Sequence, residues 1–134
     1  MLLGQLSESS KVLFLELELL LANIDGEYSE SEQQLVLRQC NEMGIEPIEY
    51  DSQMVLDDVI DKIRDNMSVK EKKIIFLELL MMAVIDGVYD SKEKEFVESL
   101  RKVLGIPETV SEQAFELIKT LVETSQAIED FVEW

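Results

Sequence analysis

Histidine is absent from this chain of 134 residues, and cysteine occurs once, at Cys40. The lack of histidine excludes Ser-His-Asp and Cys-His nucleophilic sites, HExxH zinc sites and Glu-x-x-His di-iron sites. A single cysteine excludes an intrachain disulfide and cannot by itself form a structural zinc site. Neither a GxGxxG motif nor a Walker A loop is present. Only carboxylate chemistry or no catalysis remains, and we expect a protein that is not an enzyme.

Basic residues are also scarce. The chain has 12 Lys and Arg against 29 Asp and Glu, which gives a net charge of −17. Such a surface repels phosphate backbones and anionic leaflets, so we expect no direct binding of nucleic acid or membrane. Metal ions, basic proteins and other cationic partners are favoured instead. Most of these carboxylates are expected to be solvated helix surface.

Long apolar runs are missing as well. The longest, Ile74 to Ile85, contains Glu78 and is shorter than the roughly 20 apolar residues that span a bilayer, so it predicts a buried core helix. No signal peptide is visible after Met1. A chain with one cysteine suits a reducing compartment. These features predict a soluble, cytoplasmic protein.

Glycine and proline number only 5 and 2, and the spacing of apolar residues is helical almost throughout. The sequence predicts an all-α fold of about six to seven helices in a single domain, residues 1–134. The predicted helices cover about 10–25, 29–44, 51–66, 69–85, 90–105 and 111–123, and Ser125 is expected to cap a short final turn.

The chain contains an internal repeat. Residues 13–45 align without a gap with residues 74–106, and the two segments share the motif A-x-I-D-G-x-Y-x-x-x-E. The identical pairs are Leu19/Leu80, Ala22/Ala83, Ile24/Ile85, Asp25/Asp86, Gly26/Gly87, Tyr28/Tyr89, Glu32/Glu93, Val36/Val97, Gly44/Gly105 and Ile45/Ile106. We therefore expect two three-helix units, about 10–70 and 71–131, related by a pseudo-two-fold axis that brings the two acidic turns together.

A purely structural interpretation explains part of this motif. Glu32 and Glu93 each come three residues after a helix N-cap, where glutamate bonds back to the amide of the cap residue. Asp25 and Asp86 follow helix C-termini, where the helix dipole disfavours a carboxylate by about 0.3–1 kcal/mol. An Asx-type turn would account for them, and so would a bound cation.

Oxygen ligands without imidazole or thiolate favour Ca²⁺, Mg²⁺ or Mn²⁺. The turns are not EF-hands, because the sixth position from Asp25 or Asp86 is Glu30 or Ser91 rather than glycine. Glu18, seven residues before Asp25 on the same helical face, is a weaker candidate for a further ligand. Its repeat counterpart is Leu79.

The doubled D-G-x-x-x-x-x-E motif between amphipathic helices resembles the tellurite-resistance TerB-like family, which also includes N-terminal domain relatives in DjlA-type co-chaperones. The resemblance covers about residues 10–131 and implies an all-helical, metal-responsive module in stress resistance, without catalysis and acting with protein partners. It implies metal ligands at Asp25, Glu32, Asp86 and Glu93. No J-domain or membrane anchor accompanies the motif, so a co-chaperone role is not expected.

Two other hypotheses remain open. In the first, the protein is a metal-independent interaction domain whose acidic surface docks a basic partner. In the second, which rests on the net charge alone, it is an acidic decoy that imitates nucleic acid.

Overall fold

The computed structural model describes residues 2–22, 30–46, 55–84 and 91–133, and all regular structure within these ranges is helical. The predicted all-α fold is therefore confirmed. A 3-10 helix, Leu3–Gln5, precedes six α-helices. These are α1 Glu8–Ala22, α2 Glu30–Met43, α3 Leu56–Asn66, α4 Val69–Val84, α5 Ser91–Leu104 and α6 Glu108–Val132.

The first two helices of each unit repeat in the same register as the sequence. Helices α2 and α5 begin and end at aligned positions. Helices α1 and α4 also begin at aligned positions. The third helices do not correspond, because α6 begins at position 108, whereas the start of α3 aligns with position 117. The pseudo-two-fold axis and the division into units of about 10–70 and 71–131 stay predictions.

Helices α2 and α5 end in the same glycine turn. Gly44 and Gly105 have φ angles of 75° and 72°, a left-handed conformation that costs other residues about 1–2 kcal/mol. The amide of Gly44 donates to the carbonyl of Asn41 at 3.2 Å, and the amide of Ile45 donates to that of Cys40 at 2.9 Å. The same pair of bonds recurs after α5 and completes a Schellman cap in each unit.

We expect Gly44→Ala and Gly105→Ala each to lower the free energy of unfolding by about 1–2 kcal/mol. A Cβ atom at either position would meet no other atom within 4 Å, so the effect should come from the backbone alone. Gly4 has equally open space and no positive φ, which makes Gly4→Ala the matched control. Urea unfolding of the three variants measures the difference, and equal stability of all three would contradict it.

Equivalent serines, Ser7 and Ser68, come directly before α1 and α4. The carboxylate of Glu71 accepts hydrogen bonds from the backbone amides of both serines. Ser68 and Glu71 form a capping box at the start of α4, since the Glu71 amide donates to Ser68 Oγ at 3.1 Å and the Ser68 amide donates to Glu71 Oε1 at 3.4 Å. The other oxygen of Glu71 accepts the amide of Ser7 at 3.1 Å. These bonds lower the pKa of Glu71, the bond from the Ser7 amide most of all.

The core is built around α1 and α4, which contact each other. Helix α4 also contacts α5, α6 and the 3-10 helix, so it is the buried core helix that the apolar run from Ile74 predicts. Six consecutive residues of α1, Leu13 to Glu18, are buried, and so are most residues of α4 from Ile74 to Ala83.

None of the helices in the described part of the chain has the length and apolar character that crossing a bilayer requires.

Helix α6 differs most from its predicted form. The sequence predicts a helix over about 111–123 and a separate final turn capped by Ser125. In the structure one helix runs from Glu108 to Val132. No glycine or proline interrupts the sequence after Pro107, so nothing in it ends the helix. Its buried residues are Ala114 and Ile118. From Lys119 to Glu133 every residue is exposed.

Candidate functional site

Three glutamates lie inside the core, on the two central helices. Glu16 and Glu18 belong to α1 and Glu78 belongs to α4, and all three are buried. They alternate with leucines that are also buried, because α1 and α4 are covered on most sides and no face is left for a polar residue. Carboxylates are rarely fully buried unless they are paired, so these glutamates are the residues of the core that most need explanation.

Glu78 is held by two hydrogen bonds from other parts of the chain. Its Oε1 accepts the amide of Leu2 at 3.1 Å, and its Oε2 accepts a bond from the side-chain amide of Gln39 at 3.4 Å. Gln39 projects from α2 and is itself buried. The first residues of the chain, α2 and α4 therefore meet at this carboxylate.

Glu18 is the buried glutamate whose carboxylate oxygens lack a described hydrogen bond. It is 0% exposed, and neither of its carboxylate oxygens has a hydrogen-bond partner among the described residues. Burial raises its pKa well above the usual value, and the negative charge of Glu78 raises it further, while the neighbouring Gln39 amide lowers it to a smaller extent. The Oε1 atom of Gln39 is also buried without a described partner, so a protonated Glu18 could donate a hydrogen bond to it.

Cys40 lies on α2 next to Gln39 and is fully buried. Burial and the nearby Glu18 charge raise the pKa of the Cys40 thiol to about 11. The thiol is therefore neutral at physiological pH. It is neither an activated nucleophile nor a thiolate ligand there.

The structure describes the predicted ligands only in part. Asp25 and Asp86 lie outside the described residues. Glu32 is in the first turn of α2, but its side chain lies outside the described part of the structure, and Glu93 is half-buried in the first turn of α5. Whether these four residues converge stays a prediction.

The helices that lead into the two acidic turns do come together. Glu18 and Glu78 interact, and they occupy nearly equivalent positions, because position 78 aligns with position 17 of the first unit. Glu18 is four residues from Ala22, the last described residue of α1, and Glu78 is six from Val84, the last described residue of α4. At 1.5 Å per residue, the two helix ends lie about 6 Å and 9 Å along their axes from this carboxylate pair.

The described residues alone do not form a metal centre. Within residues 2–22, 30–46, 55–84 and 91–133, no three His, Cys, Asp or Glu side chains are grouped so as to hold a metal ion. The donor chemistry nevertheless suits a hard cation, because Glu18 offers two buried carboxylate oxygens that no described group satisfies.

The sequence favours Glu18 only weakly as a metal ligand, and the doubled motif does not include its neighbours Glu78 and Gln39. Glu78 had a usable signal, since it is the one carboxylate within the apolar run from Ile74 to Ile85. Gln39 had none, because a glutamine on an amphipathic helix is ordinarily solvated. Its burial follows from the packing of α2 against α1.

The fold is shared with a solved structure. A tellurite resistance protein from Nostoc punctiforme superposes on this chain with a TM-score of 0.67 and 22% sequence identity. The match covers 93% of this chain and 80% of that protein. No protein-family model and no curated protein matches the sequence. The likeness confirms the fold that the TerB-like resemblance implied.

Proposed function

We propose that this protein is a non-enzymatic TerB-like module that binds a hard divalent cation, Ca²⁺, Mg²⁺ or Mn²⁺, and engages protein partners in a stress response. Asp25, Glu32, Asp86 and Glu93 are the proposed ligands. The association with tellurite resistance is carried over from the structural neighbour as part of this proposal.

The meeting of α1 and α4 at Glu18 and Glu78 is the observation that supports this proposal best. The pair lies about 6 Å and 9 Å along the axes from the last described residues of α1 and α4, and this closeness supports a convergence of the two acidic turns. Along the sequence, Asp25 follows α1 and Asp86 follows α4, and Glu32 and Glu93 lie in the first turns of α2 and α5. A cation would offset both the unfavourable dipole at each helix C-terminus and the repulsion between the carboxylates.

The buried carboxylate of Glu18 supports the same proposal from inside the core. An isolated ionised carboxylate in an apolar interior is strongly disfavoured, and either a proton or a nearby cation relieves it. Neither carboxylate oxygen of Glu18 has a described hydrogen bond that would stabilise the ionised form. A cation at the acidic turns would lower the energy of its ionised form.

Calorimetric titration of Ca²⁺, Mg²⁺ and Mn²⁺ into chelator-stripped protein tests the proposal. We expect saturable binding of one or two ions, and its loss in the double variant Asp25→Asn/Asp86→Asn. The double variant Asp57→Asn/Asp58→Asn removes the same charge from exposed positions in α3 and should bind as the wild type does. Thermal stability is a poor readout, because divalent ions screen a protein of net charge −17 without specific binding.

Equal heats from the two double variants would contradict the proposal. The acidic turns would then be structural, and the alternative function, metal-independent docking of a basic partner on an acidic surface, would take its place. That alternative requires partner binding to be unaffected by chelator and weakened by salt.

A further inference from the structure

A groove with an apolar floor and an acidic rim lies where α4, α5 and α6 meet. Its volume is about 420 Å³. The floor consists of Leu80 from α4, Val97 from α5 and Phe115 from α6, and Phe115 is 38% exposed. Its carboxylate rim is formed by Glu98, Glu108, Glu112 and Glu116.

The carboxylates of this rim differ in how far they are already neutralised. Arg101 forms an ion pair with Glu98 at 2.7 Å, and this contact lowers the pKa of Glu98. Glu108 also lies near Arg101 and adds to the effect of Glu98 in raising the pKa of that guanidinium. Glu112 and Glu116 form no ion pair with another described residue. Glu108, Glu112 and Glu116 recur at four-residue steps, so they line one side of α6 as neighbouring like charges, an arrangement that slightly destabilises a helix.

We propose that this acidic groove is a docking surface for a basic peptide segment that carries a large apolar side chain. The apolar side chain would enter the groove and pack on Phe115, while lysine or arginine residues beside it would pair with Glu108, Glu112 and Glu116. Arginine also interacts favourably with the face of an aromatic ring such as that of Phe115. The inference rests on the partner-binding part of the proposed function and does not require the cation.

Charge complementarity selects this occupant over the others. A second copy of the chain would bring a further net charge of −17, with only 12 basic residues spread along its sequence. An anionic lipid surface would be repelled by the rim for the same reason. A basic segment is attracted by the carboxylates of the rim. The negative field of the whole protein also raises its rate of association.

Two fluorescein-labelled peptides and two double variants test the inference. The probe is the peptide Lys-Arg-Leu-Trp-Lys-Arg, and the control peptide has serine in place of leucine and tryptophan, so that its charge is unchanged. Binding is measured by fluorescence anisotropy with chelator present, at about 0.15 M salt to screen non-specific attraction. Glu112→Gln/Glu116→Gln alters the groove. Glu123→Gln/Glu129→Gln removes the same charge from exposed positions further along α6.

We expect the groove variant to weaken binding of the probe about tenfold and the control variant less than about twofold. The serine peptide should bind the wild type about tenfold more weakly than the probe. Equal weakening by the two double variants, or equal binding of the two peptides, would overturn the proposal. A dimer of the wild type that Glu112→Gln/Glu116→Gln abolishes would also overturn it, because the groove would then hold a second copy.

Because chelator is present throughout, these outcomes are separate from those of the cation titration. Loss of cation binding with intact peptide binding would contradict the proposed metal site alone. The reverse result would contradict the docking surface alone.

Discussion

Glu18→Gln should stabilise the protein above about pH 5, by an amount that grows with pH to about 1–3 kcal/mol. Glutamine has nearly the shape of glutamate and carries no charge to bury. Its amide can also donate a hydrogen bond to the unpaired Oε1 of Gln39. The variant therefore removes the cost of ionising a carboxylate inside the core while keeping the packing.

The direction of the pKa shift of Glu18 determines how its contribution to stability changes with pH. The pKa of Glu18 is raised in the folded protein, so the folded state holds its proton more tightly than the unfolded state does. Its contribution to stability is fully present below the ordinary glutamate pKa of 4.5 and is lost as the pH rises through the raised value. Glu71 and Glu98 have lowered pKa values in the folded protein. Their contribution to stability is therefore present above the ordinary glutamate pKa and is lost as the pH falls through the lowered values.

Urea unfolding of wild type and variant from about pH 4 to pH 8, with chelator present, measures this effect. The difference between the two proteins isolates Glu18 from the general repulsion that develops as the other carboxylates ionise. Glu123→Gln removes one charge from an exposed position and should show a difference of less than about 0.5 kcal/mol at every pH. A constant difference for Glu18→Gln across the range would show that Glu18 does not titrate there.

Phe76→Ala should lower the free energy of unfolding by about 3–5 kcal/mol. Phe76 is one of the largest fully buried or nearly buried side chains of the protein and lies on α4, which contacts α1, α5 and α6. Removing the ring leaves a cavity between helices that have other neighbours and cannot close freely around it. The loss is a large share of the roughly 5–15 kcal/mol that stabilises a domain.

Phe131→Ala removes the same side chain from the far end of α6, where the ring is 75% exposed. That substitution should change stability by no more than about 0.5 kcal/mol. Urea unfolding monitored by circular dichroism compares the two variants at one temperature. A loss of less than about 1 kcal/mol in Phe76→Ala would contradict the central packing of α4.

The sequence predicted the helices well where a local signal marks their ends. Ser68 and Glu71 have capping-box spacing at the start of α4, and Gly44 and Gly105 stand at the ends of α2 and α5; caps and left-handed turns depend on the residues that form them. The extent of α6 was harder to predict. A serine at position 125 is a cap only if the chain turns there, and in this protein the helix continues past it.

The candidate site was predictable only as a pattern along the chain. The doubled motif identified Asp25, Glu32, Asp86 and Glu93 without reference to the fold. The Glu18–Glu78 pair depends instead on how α1 crosses α4, and Gln39 joins it only because α2 packs alongside. Side chains that are distant in sequence meet through helix packing, which residue spacing along one helix does not determine.

The neutral, enclosed thiol of Cys40 makes the chain convenient for spectroscopy. Maleimide reagents and molecular oxygen act on accessible thiolates, and this sulfur is neither accessible nor ionised at neutral pH. A cysteine introduced at an exposed position would therefore be the one thiol that takes a spin label or a dye. Two such cysteines, one in each half of the chain, would allow the distance between the halves to be measured without first replacing Cys40.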